Sequence, residues 1–209
     1  MMDAPPLLCV ATFRLGPRLD RRPGVKLSYA ADEPVYVEGD QAHSVYAVIS
    51  GAVRTLRYSL EGRRQIGAFY YPGDLFGLEP GEDHRFSAEA LCPTEVAAIP
   101  RGAALPDENV LTQAALAELA RAQDHLAMLG RRTACEKMAS FLLDIAARAR
   151  SNDASLPMSR QDMADYLGLA METVSRVLGQ FQNDGLVALP TCRDFRILKT
   201  PALERLAAR

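Results

Sequence analysis

The sequence predicts an α+β chain built as an N-terminal β-roll, a long helix and a C-terminal winged helix-turn-helix. Three observations carry this. Between Val25 and Pro100, short β-like runs are cut by turn signals about every ten residues. From Asn109 to Arg148 the text turns strongly helical. From Ser159 to Leu189 it reads as two short helices joined by a tight turn, followed by the first strand of a hairpin.

The segments follow in order. Residues 1–22 hold Pro5, Pro6, Pro17, Arg14, Arg18, Arg21 and Arg22 without a sustained apolar face, which suits an arm with solvated arginines. Residues 23–108 form the roll. Its runs VYAVIS, AVRTLRYSL, RQIGAFYY and FSAEAL are separated by Glu38-Gly39-Asp40, Ser50-Gly51, Glu61-Gly62, Pro72-Gly73-Asp74 and Gly81-Glu82-Asp83. Residues 109–130 form one helix, in which Ala115, Leu119, Ala122, Leu126 and Leu129 fall at alternating three- and four-residue steps. Those steps are the seam of a two-stranded coiled coil, although a helix packed on its own roll would show similar spacing. Gly130 breaks the run. The last segment, 131–209, opens with a helix whose Ala134, Met138, Phe141, Leu142 and Ile145 supply a core, followed by a polar loop at 151–157.

Ser159 is a good N-cap, and Asp162 sits where the reciprocal capping partner belongs. Met163, Ala164 and Leu167 give that helix a buried face, and Gly168 supplies the positive φ of a sharp turn. In the next helix, Ala170 to Gln182, residues Val174, Val177, Leu178 and Phe181 point inward, while Glu172, Ser175, Arg176 and Gly179 lie opposite with Thr173 at the edge. A solvated face would look similar. The cap, turn glycine, polar face and following hairpin together favour a helix that enters a DNA major groove, where Arg bonds guanine twice and a carboxylate accepts from cytosine. Asn183-Asp184-Gly185 ends the helix, and LVALPTCRDFRILK turns around Pro190–Asp194 as a wing.

The totals are compatible with this. The chain has 209 residues and a formal net charge of −2. Residues 1–130 hold 12 Lys/Arg and 17 Asp/Glu, and residues 131–209 hold 12 and 9, so the positive excess lies with the helix-turn-helix. No apolar run approaches the length of a membrane span and no signal-like N-terminus is present, so a cytoplasmic location is expected. Cys9, Cys92, Cys135 and Cys192 are scattered, which argues against disulfides, zinc and an iron–sulfur cluster.

The segment YLGLAMETVSRVLGQFQNDGLV resembles the helix-turn-helix of the cyclic-AMP receptor protein/FNR superfamily of bacterial transcription regulators, and most of all its FNR and FixK branch. In that branch the recognition helix carries E-x-x-S-R, matched by Glu172, Ser175 and Arg176. The phrase EGDQAHSVYAVISGAVR resembles the cyclic-nucleotide-binding fold of the same superfamily. The resemblance implies a homodimeric regulator, activating through RNA polymerase, that reads a palindromic TTGA-type site in double-stranded DNA. Base edges would be read by Glu172, Ser175 and Arg176. Phosphates would be met by Ser159, Arg160 and Thr173, with Arg193, Arg196 and Lys199 in the wing.

No cofactor is expected. Nucleotide-binding members carry G-E-L followed by Arg-Ser or Arg-Thr, whereas this chain has Gly77-Leu78-Glu79 and Arg85-Phe86-Ser87. The alternative is a ligand-gated regulator holding a cyclic nucleotide, or a haem on His43 or His84, in the roll. An enzyme is not expected, because no nucleophile–base pair, metal-ligand cluster or phosphate loop is present. Cys192, beside Arg193 and near Arg196, is a candidate redox site, although an unreactive small residue in a hairpin would read the same way.

Overall fold

The computed structural model describes residues 24–102 and 108–208, in two compact units, 24–119 and 120–208. The division falls inside a helix, between Leu119 and Ala120. The arm at 1–22, with Cys9, lies outside the described residues.

The first unit is an antiparallel roll of two four-stranded sheets. One has the order β1 (Val25–Tyr29), β8 (Thr94–Pro100), β3 (Ser44–Ser50), β6 (Leu75–Phe76). The other has the order β2 (Pro34–Tyr36), β7 (Ser87–Ala90), β4 (Val53–Tyr58), β5 (Arg64–Tyr70). Side chains that point between the two sheets fill the core. Val48, Phe76 and Val96 from one sheet pack with Tyr36, Val53, Ala68, Tyr70 and Ala88 from the other. A second cluster forms where Val45, Ala47, Leu75 and Ala97 meet Ala114, with Val110 against it. Those two residues open α1 (Glu108–Leu129), so the first half of this helix does pack on its own roll.

The second unit continues with α2 (Ala134–Ala149), β9 (Asp153–Ser155), α3 (Arg160–Leu167), α4 (Met171–Asn183), β10 (Val187–Ala188), β11 (Asp194–Ile197) and α5 (Thr200–Ala207). Met138, Phe141, Leu142 and Ile145 are buried along α2, beneath Met163, Ala164 and Leu167 of α3 and the inner face of α4. The polar stretch after α2 is more than a loop. Residues 153–155 pair antiparallel with β11, so the wing is a three-stranded sheet in the order β10-β11-β9. α5 closes the unit, and Arg131 donates to the carbonyl of Ala207 at its last turn.

Candidate nucleic-acid interface

The helix-turn-helix is held at each end by groups its own sequence supplies. Ser159 Oγ accepts from the Asp162 N–H at 3.1 Å, and Asp162 Oδ2 accepts from the Ser159 N–H at 2.9 Å, which completes a capping box. Such a cap stabilises a helix by about 1 kcal/mol. At the other end Gly168 stands at φ 63°, ψ 44°, and its N–H reaches the Ala164 carbonyl. A side chain there would strain the backbone, so glycine sets the angle between α3 and α4. Lys137 Nζ donates to the Leu167 carbonyl at 3.1 Å, placing a cation at the negative end of α3.

The two sides of α4 differ sharply. Val174, Val177, Leu178 and Phe181 are 0%, 6%, 2% and 1% exposed. Met171, Glu172, Ser175 and Arg176 face solvent. Glu172 lies in the first turn, where the helix dipole favours a carboxylate. The side chains of Glu172, Ser175 and Arg176 make no hydrogen bond or ion pair to any described residue. The fold leaves them uncommitted, a donor fork beside a carboxylate on one convex surface.

The residues expected on phosphates divide into two groups. Arg160, Thr173, Arg193 and Lys199 have polar capacity to spare. Arg160 Nη1 donates to Met163 Sδ at 3.6 Å, and burial lowers its guanidinium pKa, an effect partly offset by the nearby Cys192. Arg193 Nη1 donates to the Pro157 carbonyl at 3.3 Å, and Lys199 Nζ to that of Asp184 at 3.4 Å. Ser159 and Arg196 are already engaged. Besides the cap, the Ser159 hydroxyl donates to Asp162 Oδ2 at 2.8 Å, so both of its donors are used. Arg196 pairs with Asp153 across the wing sheet, and this partner raises its pKa further. Cys192 is exposed in the wing turn, where Thr191 Oγ1 donates to Asp194 Oδ2 at 2.7 Å. A cation near Cys192 is Arg160, a neighbour that proximity in sequence does not reveal.

Along α1, Ala115, Leu119, Ala122 and Leu126 are exposed, with Leu119 at 55% and Leu126 at 68%. Leu116, adjacent to the expected seam, is 53% exposed and belongs to the same apolar strip. Leu129 departs from the expectation. It is half-buried beside the α3–α4 turn, where a Cβ on Gly168 would lie 3.6 Å from its Cδ2.

The interior of the roll is filled by rings. His84, 2% exposed, stacks on Tyr36 at 3.5 Å between centroids, and Tyr46 and Tyr70 each lie 5.3 Å from Phe76. Burial lowers the His84 pKa, opposed by Glu79, whose Oε1 is 3.5 Å from Nδ1. A ring so enclosed has no open face for a haem. Nor do these residues fit a cyclic phosphate. Arg85 points outward onto Glu79 at 3.3 Å, its side chain 69% exposed, and Ser87 Oγ accepts from the Glu38 N–H at 3.0 Å. His43 is exposed. Among the described residues no three His, Cys, Asp or Glu side chains gather as a metal site, and no helix is long and apolar enough to cross a membrane.

Comparison with known proteins places both halves. Residues 26–105 match the family model of the cyclic nucleotide-binding domain, and residues 136–206 that of the Crp-like helix-turn-helix domain. The chain is 42% identical over 193 residues to the nitrogen fixation regulation protein FixK of Rhizobium meliloti, covering 92% of each chain. It is 39% identical over 170 residues to the transcriptional activator protein Anr of Pseudomonas protegens, covering 75% of this chain and 70% of that one. Among solved structures it resembles FixK2 from Bradyrhizobium japonicum, with a TM-score of 0.82 and 42% identity over 89% of this chain and 98% of the other.

Proposed function

The chain belongs to the CRP/FNR family, on its FixK branch of transcription regulators with a helix-turn-helix DNA-binding domain, and we propose that it works as a homodimer reading a palindromic TTGA-type operator. The observation that carries the reading is the surface of α4, where Glu172, Ser175 and Arg176 stand exposed and uncommitted on a helix whose other side is buried. Arg176 bonds guanine O6 and N7, Glu172 accepts from a cytosine amino group, and Ser175 meets the neighbouring base edge. Arg160, Thr173, Arg193 and Lys199 fix the register through phosphates, while Ser159 and Arg196 hold the surfaces that present them.

The two-fold axis comes from α1. Leu116, Leu119 and Leu126, with Ala115 and Ala122, offer an apolar strip that a second copy would cover. Pairing there sets the two α4 helices at half-sites about 34 Å apart on one face of the duplex. The filled roll and the outward Arg85 support regulation without a cyclic nucleotide or haem. Activator names among its relatives favour activation through RNA polymerase.

The test is fluorescence anisotropy with a duplex carrying an inverted TTGA repeat and with a scrambled duplex. Tight binding of two chains per repeat, weak on the scrambled duplex, supports the proposal. Equal affinity for both would refute the sequence-reading claim.

A further inference from the structure

Gly179 lies in the interior of α4, on the side that carries Glu172, Ser175 and Arg176, and it is the only glycine inside a helix among the described residues. Glycine is among the poorest residues for a helix interior, so a reason for it should be visible nearby. Two reasons are visible at other glycines of this chain. Gly168 needs its positive φ, and a Cβ on Gly51 would come within 2.3 Å of Thr94 Oγ1. Neither applies at Gly179. Its backbone is ordinary helix with no positive φ, and a Cβ built on it meets nothing within 4 Å. The fold would accept alanine and hold the helix better for it.

No reason for it is found among the described residues. Resting on the DNA-reading proposal, we infer that Gly179 is kept bare because the sugar–phosphate backbone of the operator closes on α4 at this position. Gly179 stands three residues beyond Arg176, about 4.5 Å further along the helix axis at 1.5 Å per residue. The major groove is about 12 Å wide, and a helix with its side chains has a diameter of about 10–12 Å, so little clearance remains at the wall. With Glu172 and Arg176 on base edges, the next turn of the same side is the one that meets the strand leaving the groove. A missing side chain there lets α4 sink to the depth at which Arg176 reaches guanine. The exposed Gln180 and Gln182 flank this gap and are suited to bonding the phosphates on either side of it.

The experiment compares the parent with Gly179→Ala and Gly179→Leu, in the full-length protein, by thermal unfolding and by anisotropy on the inverted TTGA duplex. Both variants are expected to unfold at the parent's temperature or a few degrees higher, because each is a better helix former. Operator affinity is expected to fall at least tenfold for Ala and further for Leu. Stability and binding then move in opposite directions, which a purely structural role for the glycine would not produce. If the parent binds and Gly179→Ala binds as tightly, the inference is overturned. Lower unfolding temperatures in both variants overturn it too, by showing that the fold itself required glycine. A parent that binds no duplex removes the DNA reading, and this inference with it.

Discussion

Arg176→Ala isolates the proposed reading from the fold. The Arg176 side chain makes no hydrogen bond or ion pair to any described residue, and it lies on the exposed side of α4. Alanine is at least as good a helix former, so the unfolding temperature should stay within a degree or so of the parent's. The loss should then appear entirely in binding. A bidentate arginine–guanine contact discriminates by about 1–3 kcal/mol, so two half-sites give about 2–6 kcal/mol for the dimer. At 1.4 kcal/mol per decade this weakens Kd by about thirtyfold at the low end and by more than about ten-thousandfold at the high end. The assay is anisotropy at fixed ionic strength on the parent repeat and on a repeat with its guanines replaced. The parent should discriminate between the two duplexes, and Arg176→Ala should not. The slope of log Kd against log salt should change little, because the contact is to a base and not a phosphate. If the variant keeps its preference for the guanine duplex, Arg176 does not read that base.

Three further outcomes are expected. Leu126→Ala removes burial worth about 1.5 kcal/mol per protomer at a residue 68% exposed in the single chain, so sedimentation equilibrium should show a dimer weaker by about a hundredfold; an unchanged dimer would place the two-fold axis elsewhere. Burial holds both His84 and His125 below the ordinary imidazole pKa, and His125 also contacts the Tyr166 carbonyl at 2.7 Å. The unfolded chain then takes up protons first as pH falls. Stability should be fullest above about pH 6.5 and drop below it, and His125→Gln should flatten the urea midpoint between pH 7.5 and 5.5; a midpoint that rises on acidification would reverse the sign. Two equivalents of peroxide would convert the exposed Cys192 thiol to a sulfinate, releasing two waters, next to Arg160. DNA binding should weaken in the parent and survive in Cys192→Ser, and equal loss in both would dispose of the redox role.

The sequence was most legible where structure is local. Ser159 with Asp162, Gly168, and the spacing of Val174, Val177, Leu178 and Phe181 are all set within one or two helical turns, and the structure places them as expected. It was least legible where partners lie far apart. β9 is three residues long, and it becomes a strand only through β11, about 40 positions on. α5 had local signals, with Pro201 in its first turn and Leu203 and Ala207 on one side, but it is anchored by Arg131, far back in the chain. The same distance hides the pairing of Arg196 with Asp153 and the turn of Leu129 toward Gly168. Leu116 could have been found, since it adjoins Ala115 on the same strip.

The third strand of the wing has a mechanical consequence. The segment entering the recognition motif is stitched to the hairpin that follows it, by backbone pairing and by the Asp153–Arg196 pair. On the proposed reading, α4 and the wing then act as the two jaws of a fixed caliper, whose gap is set before any duplex arrives. A rigid gauge transfers the work of accommodation to the nucleic acid, so the operator has to bend or narrow to suit it. Spacers rich in yielding pyrimidine–purine steps should then be preferred between the half-sites.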